Sequence, residues 1–380
     1  MYYRISRDLV LVVGFGENLG WQFCPLSTIG CYPALVVSEI TTPILAHAEP
    51  AGAHSTTTED GRSNSYSFRG RPPAGVAYGT KRGWMLHGKS DELLTSPVVD
   101  RFRGNVNLVF TSPPFPLNRK KRYGNEVGEA YIDWLCKFGP LLLDMLAPNG
   151  SIVIEIGNSW ESGSPSMSTL ATRALLEFQS RNELHLCQEF VWNNPAKLPT
   201  PVQWVNIERI RVKDSFTKLW WMAKVPKPKA SNKRVLQEYS PSMKSLLEKK
   251  KYNAGSRPSE HQIGEESFFT DNGGAIPSNV LTFANTHAGT PYQRYCKENG
   301  LKAHPARMPP ELAQFFIKFL TEENDLVLDP FGGSNTTGAA AEELNRNWLS
   351  IEAERSYIEG SLGRFTNAIP TTAFCAQEND

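Results

Sequence analysis

The stretch Leu326-Val327-Leu328-Asp329-Pro330-Phe331-Gly332-Gly333-Ser334-Asn335-Thr336-Thr337-Gly338 decides the reading of this chain. A short apolar run bounded by turn residues reads as a buried strand, and residues 339–344 then have helical composition. The next apolar run, 348–351, ends at an acid, Glu352, twenty residues after Gly332. Strand, glycine-rich turn, helix and strand make one βαβ unit. Upstream, residues 107–110 read as a strand that ends in Thr111-Ser112-Pro113-Pro114-Phe115. Residues 130–146 have helical apolar spacing and stop at Pro148-Asn149-Gly150. A strand is predicted over 151–156, a helix over 168–180 and a strand over 184–192. Residues 206–212 and 216–222 are expected to pair as a hairpin about Lys213-Asp214-Ser215. A short helix is predicted to end at 92–94. Pro309-Pro310 suits the first turn of a helix over 311–320. Alternating strands and helices imply an open α/β, Rossmann-like, mostly parallel sheet with one antiparallel hairpin.

The chain has 380 residues, 40% of them hydrophobic, enough for one large α/β domain with an insertion or for two domains. Net charge is only +1, but its distribution is uneven. Residues 197–257 hold fifteen Lys and Arg against four Asp and Glu, whereas 308–380 hold four against twelve. A basic stretch in a neutral chain fits either phosphate contact or a solvated lysine-rich loop. The six cysteines form no C-x-x-C pair, as in a reduced intracellular protein, and the histidines lack metal spacing, so no metal is expected. No apolar run reaches the roughly 18 residues that span a bilayer, so no membrane association is expected. The run 9–15 is too short for a signal peptide and is stopped by Glu17 and Asn18.

Residues 49–75 are rich in Ser, Thr, Gly and Pro and read as a disordered linker. A second glycine cluster, Gly14-Phe15-Gly16-Glu17-Asn18-Leu19-Gly20, follows an apolar run, but Pro25, Gly30 and Pro33 break the helix that a nucleotide turn would need.

The chemistry follows from the two motifs. Gly332 and Gly333 let backbone approach a ligand without a Cβ. A carboxylate at the tip of the following strand, Glu352, can accept both hydroxyls of a ribose. With no G-K-[ST] and no G-x-G-x-x-G, neither a phosphate loop nor a dinucleotide turn fits. Asp329 at the head of the turn suits a cationic ligand carrying an amino acid, as S-adenosylmethionine does. Read alone, Ser-Pro-Pro-Phe is an exposed proline turn. Beside a nucleotide-like site it reads as a clamp for a flat ring bearing an exocyclic amine. A serine oxygen and a proline carbonyl can accept both N–H groups and so free the nitrogen lone pair, and Phe115 can stack on the ring. The base must leave the duplex to reach such a site. No Pro-Cys dipeptide is present, which disfavours methylation at carbon 5 of cytosine.

With both motifs in this order the chain resembles the β-group DNA amino-methyltransferases, and Thr-Ser-Pro-Pro-Phe resembles their cytosine-N4 branch. The resemblance spans about 83–365. It extends to Asn118-Arg119-Lys120-Lys121, Asn194-Pro195-Ala196-Lys197-Leu198-Pro199, Ile210-Arg211-Val212-Lys213-Asp214, Asp271-Asn272-Gly273-Gly274 and His304-Pro305-Ala306-Arg307. It implies an S-adenosylmethionine-dependent methyltransferase fold with an inserted target-recognition region. Ser112, Pro113, Pro114 and Phe115 would be catalytic. Asp329, Phe331, Gly332, Gly333, Asn335, Thr336, Glu352, His304 and Glu155 would bind the cofactor. Arg119, Lys120, Lys121, Arg122, Lys197, Arg211 and Lys213 would meet DNA. The implied organisation is an N-terminal extension (1–80), a catalytic half (81–223), a target-recognition region (224–302), a cofactor-binding half (303–365) and a flexible tail (366–380). The implied activity is transfer of a methyl group to cytosine N4 in double-stranded DNA, in a prokaryotic cytoplasm at the nucleoid. A cognate restriction endonuclease would act on the same site. Adenine-N6 methylation and a catalytically inactive DNA-binding relative are the alternatives. Where the family usually has Asp after a glycine ahead of the catalytic strand, this chain has Lys89; where an Asp is frequent on the next strand, it has Glu155.

Overall fold

The computed structural model describes residues 76–371 except 117–125 and short stretches within 252–267 and 287–288. It adds a few residues between 68 and 75 and the backbone of three N-terminal strands. The chain divides into two units, residues 1–61 and 62–380. In the first, Tyr2–Ser6, Leu9–Val12 and Phe23–Pro25 form an antiparallel sheet. The strand before the Gly14–Gly20 cluster is thus part of a hairpin, not of a parallel βαβ turn; the cluster itself, and most of the expected linker 49–75, lie outside the described residues.

The second unit is built on a ten-stranded sheet. Its strands are β1 (Val76–Gly79), β2 (Gly83–His87), β3 (Val106–Thr111), β4 (Leu146–Gly157), β5 (His185–Asn193), β6 (Phe216–Ala223), β7 (Val280–Thr282), β8 (Leu326–Asp329), β9 (Asn347–Glu352) and β10 (Ile369–Pro370). The spatial order is β7-β5-β6-β4-β3-β8-β9-β2-β1-β10. The central run β4-β3-β8-β9-β2 is parallel, and β6 is antiparallel to both its neighbours. Central strands buried on both faces read as unbroken apolar runs, as Leu326–Leu328 does.

Helices α1 (Ser90–Leu94), α2 (Glu129–Met145) and α3 (Leu170–Arg181) pack on one face, where Leu135, Leu142, Leu175 and Phe178 meet Val109, Ile152 and Leu328. On the other face α6 (Pro310–Leu320), α7 (Thr336–Glu343) and α8 (Arg355–Ser361) pack through Leu312, Phe316, Ala340 and Ile358 against Leu108, Phe110 and Val327. The chain therefore leaves β3 toward one face and its neighbour β8 toward the other. Such a divergence opens a crevice beyond the carboxyl ends of the two strands, where ligands of open α/β sheets bind.

Three expectations are corrected. Residues 206–212 are not a strand: the chain makes one turn of wide helix, Gln203–Ile207, and the partner of β6 is β5. The alternation Ile207, Arg209, Arg211 with Glu208, Ile210 and Val212 between looks strand-like, but β5 is already flanked by β6 and β7 and has no edge to offer. Second, Val76–Gly79, assigned to the N-terminal extension, is an integral strand, and Phe68 stacks on Phe102 in the core. Third, Ile369–Pro370, assigned to the flexible tail, pairs with β1, and residues 372–380 lie outside the described residues. The inserted region 224–302 includes the exposed helix α4 (Pro241–Lys249). It also supplies β7 to the main sheet and helix α5 (Pro291–Glu298), whose Tyr292 and Cys296 are buried.

Candidate active site

Residues 112–116 leave the tip of β3 with Pro113 and Pro116 buried and Ser112, Pro114 and Phe115 half-buried. The Ser112 hydroxyl donates to the carboxylate of Glu155 on the neighbouring β4. Glu155 also accepts from Thr217 Oγ1 at 3.1 Å and is buried. Burial pushes its carboxyl up to about 7, although the two hydroxyl donors and the nearby Lys197 charge favour ionisation. An ionised Glu155 fixes the serine proton on the strand side and leaves the Oγ lone pairs free as acceptors. The Phe115 ring lies against Gly157 so closely that a Cβ there would come within 2.5 Å of a ring carbon. A glycine is therefore required where β4 ends.

The glycine turn begins at Asp329, whose carboxylate is buried and fully engaged. Thr111 Oγ1 donates to Oδ1 at 2.8 Å, Thr337 Oγ1 to Oδ2 at 2.7 Å and the Phe331 N–H to Oδ1 at 3.1 Å. Burial, with Glu352 nearby as a minor cause, pushes this carboxyl up to about 6. Phe331 packs on Trp134 and Phe138 of α2, with ring centroids 5.5 and 5.0 Å away. Gly333 has φ +51°, a region that costs other residues strain, and its N–H donates to Glu352 Oε2 at 2.7 Å. The Glu354 N–H donates to the other oxygen at 2.8 Å. Burial raises the Glu352 carboxyl, and these backbone donors hold it down.

His304 lies over the turn. A Cβ on Gly333 would sit 3.3 Å from its Nε2, and its ring meets Tyr357 edge-on at 4.4 Å. Burial lowers its basicity, so the ring is neutral near pH 7. The turn is clamped from behind by Arg364, which donates to the carbonyl and hydroxyl of Ser334 and stacks on Tyr292.

The structure thus brings Ser112, Phe115 and Glu155 to one strand tip and Gly333, Glu352 and His304 to the tips beside it. Asn335 and Thr336 face inward. The Asn335 amide donates to Tyr78 OH at 2.9 Å and accepts from Ser350 Oγ and the Gly338 N–H, which caps α7; Thr336 is buried in the first turn of that helix. Glu155, expected with the cofactor, bonds Ser112 of the catalytic segment and Thr217 of β6. Lys89 turns outward to Glu92 at 3.1 Å, and its neighbour Ser90 instead bonds the Pro330 carbonyl. Lys197 pairs with Asp214 at 2.9 Å, Lys213 reaches the Pro195 carbonyl at 3.0 Å, and Arg211 lies 4.3 Å over the Trp160 ring. Arg119, Lys120, Lys121 and Arg122 lie outside the described residues.

Sequence reasoning missed Thr217, Tyr78, Ser350 and Arg364, because each acts across the fold with no local signal. Thr111 could have been found: a threonine in the last inward position of a strand, directly before the motif, is placed to donate to the neighbouring strand's acid.

The parallel centre, the antiparallel strand beside it and the glycine elbow between β8 and α7 define the Rossmann-like fold of S-adenosylmethionine-dependent methyltransferases. The profile of a DNA methylase family matches residues 106–362, and the chain belongs to that family. It is 44% identical over 305 residues, 80% of this chain and 88% of the relative, to "Type II methyltransferase M.PvuII" of Proteus hauseri. It is 27% identical over 257 residues, 67% of this chain and 62% of the relative, to "Type II methyltransferase M.BglII" of Bacillus subtilis. A solved structure, "PvuII DNA methyltransferase (cytosine-N4-specific)", superposes with a TM-score of 0.62 at 38% identity, covering 77% of this chain and 89% of that one.

Proposed function

We propose that this protein is a site-specific DNA methyltransferase that moves a methyl group from S-adenosylmethionine to the N4 amino group of cytosine in duplex DNA. The observation that carries this reading is the adjacency of the two motif tips, joined by Thr111 and Asp329. The family membership and the cytosine-N4-specific relative, which matches over most of both chains, support the choice of base.

The residues present fit S-adenosylmethionine, which supplies an electrophilic methyl group when bound. Gly332 and Gly333 offer Cβ-free backbone, and the Glu352 oxygens, although they accept from the backbone N–H groups of Gly333, Ala353 and Glu354, keep acceptor capacity for a ribose hydroxyl. His304 closes over the turn as a neutral ring and adds no repulsion toward a sulfonium.

At the other tip Ser112 Oγ and the Pro113 carbonyl accept the two N–H groups of the amine and draw its nitrogen toward sp³. Phe115 holds the ring face. The amine attacks directly, so positioning supplies most of the rate. After transfer the nitrogen must lose a proton, and Ser112 with Glu155 forms a path away from it. Lys197, Arg211 and Lys213, with Arg119 to Arg122, would meet phosphates, and region 224–302 would read the site. The protein would work at a prokaryotic nucleoid beside a restriction endonuclease of the same specificity. Among the described residues no helix is long and apolar enough to cross a membrane. Incubating protein, DNA and S-adenosylmethionine, then digesting the DNA for nucleoside mass spectrometry, tests the reading.

A further inference from the structure

The loop 194–215 joins β5 to β6 and rises from the same edge of the sheet as the catalytic segment. Thr217, just beyond it, pairs with Gly157 at the tip of β4 and donates to the Glu155 that Ser112 also bonds.

Its base is braced. The Asn194 N–H donates to the Ser215 carbonyl at 2.7 Å, and Asp214 Oδ1 accepts from Asn158 Nδ2 at 2.9 Å. The Lys197–Asp214 ion pair, the Lys213 bond to the Pro195 carbonyl and the Arg211–Trp160 stack tie the two legs to each other and to the end of β4.

Above that base the loop turns apolar side chains to water. Leu198 is 75% exposed, Val202 53%, Ile207 65%, Ile210 59% and Val212 87%. Scattered exposed aliphatics need no explanation, but five within fifteen residues on a braced loop do. Basic residues are interleaved with them: Arg209, Arg211 and Lys213 stand against Glu208, while Lys197 is already paired with Asp214. A surface for a second protein chain would not need three such cations among its aliphatics. A polyanion whose stacked interior is apolar matches both features at once.

We propose that this loop is a wedge for duplex DNA: Ile207, Ile210 and Val212 enter the base stack at the target while the flanking cations hold the phosphates. The proposal rests on the reading of Ser112 as the clamp for an extruded cytosine. Extrusion leaves a gap in the stack, and branched aliphatic side chains entering beside the clamp fill it and keep the base from returning.

The test is the triple variant Ile207→Ser, Ile210→Ser, Val212→Ser, whose sites face water and so leave the core intact. The site methylated by the wild-type protein is first mapped by sequencing methylated plasmid DNA. Two duplexes then carry that site, one normal and one with an abasic position opposite the target cytosine, where extrusion meets little resistance. The wedge predicts a fall of about tenfold or more on the normal duplex, a rate within about twofold of wild type on the abasic one, and loss of the pyrrolocytosine fluorescence rise that reports extrusion. Wild-type rates on the normal duplex, or equal losses on both, would overturn the wedge. So would a wild-type dimer in sedimentation that the variant dissolves, because the aliphatics would then cover a second copy. Wild-type protein that methylates no cytosine in either duplex would instead overturn the functional reading, and the wedge with it.

Discussion

Thr111 Oγ1 donates to Asp329 Oδ1 over 2.8 Å, joining residues 218 positions apart. The bond is buried and connects the last residue of β3 to the last residue of β8. It sets the spacing between the serine that follows one and the glycines that follow the other. The side chains that would hold an amine and those that would hold a nucleoside are therefore neighbours because two strands are neighbours.

Thr111→Val keeps the shape and removes the donor. Asp329 then keeps Thr337 and one N–H but loses a partner in a buried setting. A loss of roughly 1–3 kcal/mol is expected by chemical denaturation. A variant as stable as wild type would show that the bond does not join the halves.

Ser112→Ala should slow methylation about 10²-fold, the scale for removing one well-placed hydrogen-bonding group. Binding of S-adenosylmethionine, measured by calorimetry, should change little, because Ser112 bonds Glu155 and not the glycine turn. An unchanged rate would remove Ser112 from the chemistry.

Glu155 makes the rate and the stability depend on pH in opposite directions. Its folded value lies near 7, above the ordinary 4.5, so the folded state holds the proton more tightly than the unfolded chain. The stability it contributes is complete below about 4.5 and is lost as pH rises through about 7. At 1.36 kcal/mol per unit the span amounts to roughly 3 kcal/mol. Ionised Glu155, however, is the form that orients Ser112, so methylation should rise through pH 7 with one proton lost. Glu155→Gln should flatten the rate profile between pH 5 and about 8 and make the fall of stability with pH shallower there, leaving the share due to the raised Asp329 carboxyl. A rise in rate through pH 7 that survives the substitution assigns it to another group.

Glu352→Ala should weaken S-adenosylmethionine about 10- to 100-fold, as expected for losing charged hydrogen bonds. S-adenosylhomocysteine should weaken equally. An analogue without the ribose 2′ and 3′ hydroxyls should bind wild type and variant alike; a further loss with that analogue would mean that Glu352 supports the turn through the Gly333 N–H and does not touch ribose.

Much of the frame was legible because it is local. The strand before the glycine turn was read as Leu326–Asp329, as found, and α2 and α6 were read to within a residue or so, because buried strands are short apolar runs and amphipathic helices repeat every 3.6 residues. Loop 206–212 was misread because period-2 alternation describes which side chains share a face and does not supply a neighbouring strand. Val76–Gly79 was missed because four residues after a polar stretch carry too little pattern. In the site, glycines and prolines announce themselves through backbone geometry, whereas the contacts of Glu155 with Ser112 and of Asn335 with Tyr78 and Ser350 arise only when distant segments meet.

The most direct measurement is the identity of the methylated nucleoside. DNA incubated with the protein and isotopically labelled S-adenosylmethionine, digested and resolved by mass spectrometry, should carry the label in N4-methylcytosine, and the Ser112→Ala variant should abolish most of it. Label confined to N6-methyladenine, or no label while DNA is still bound, would contradict the account.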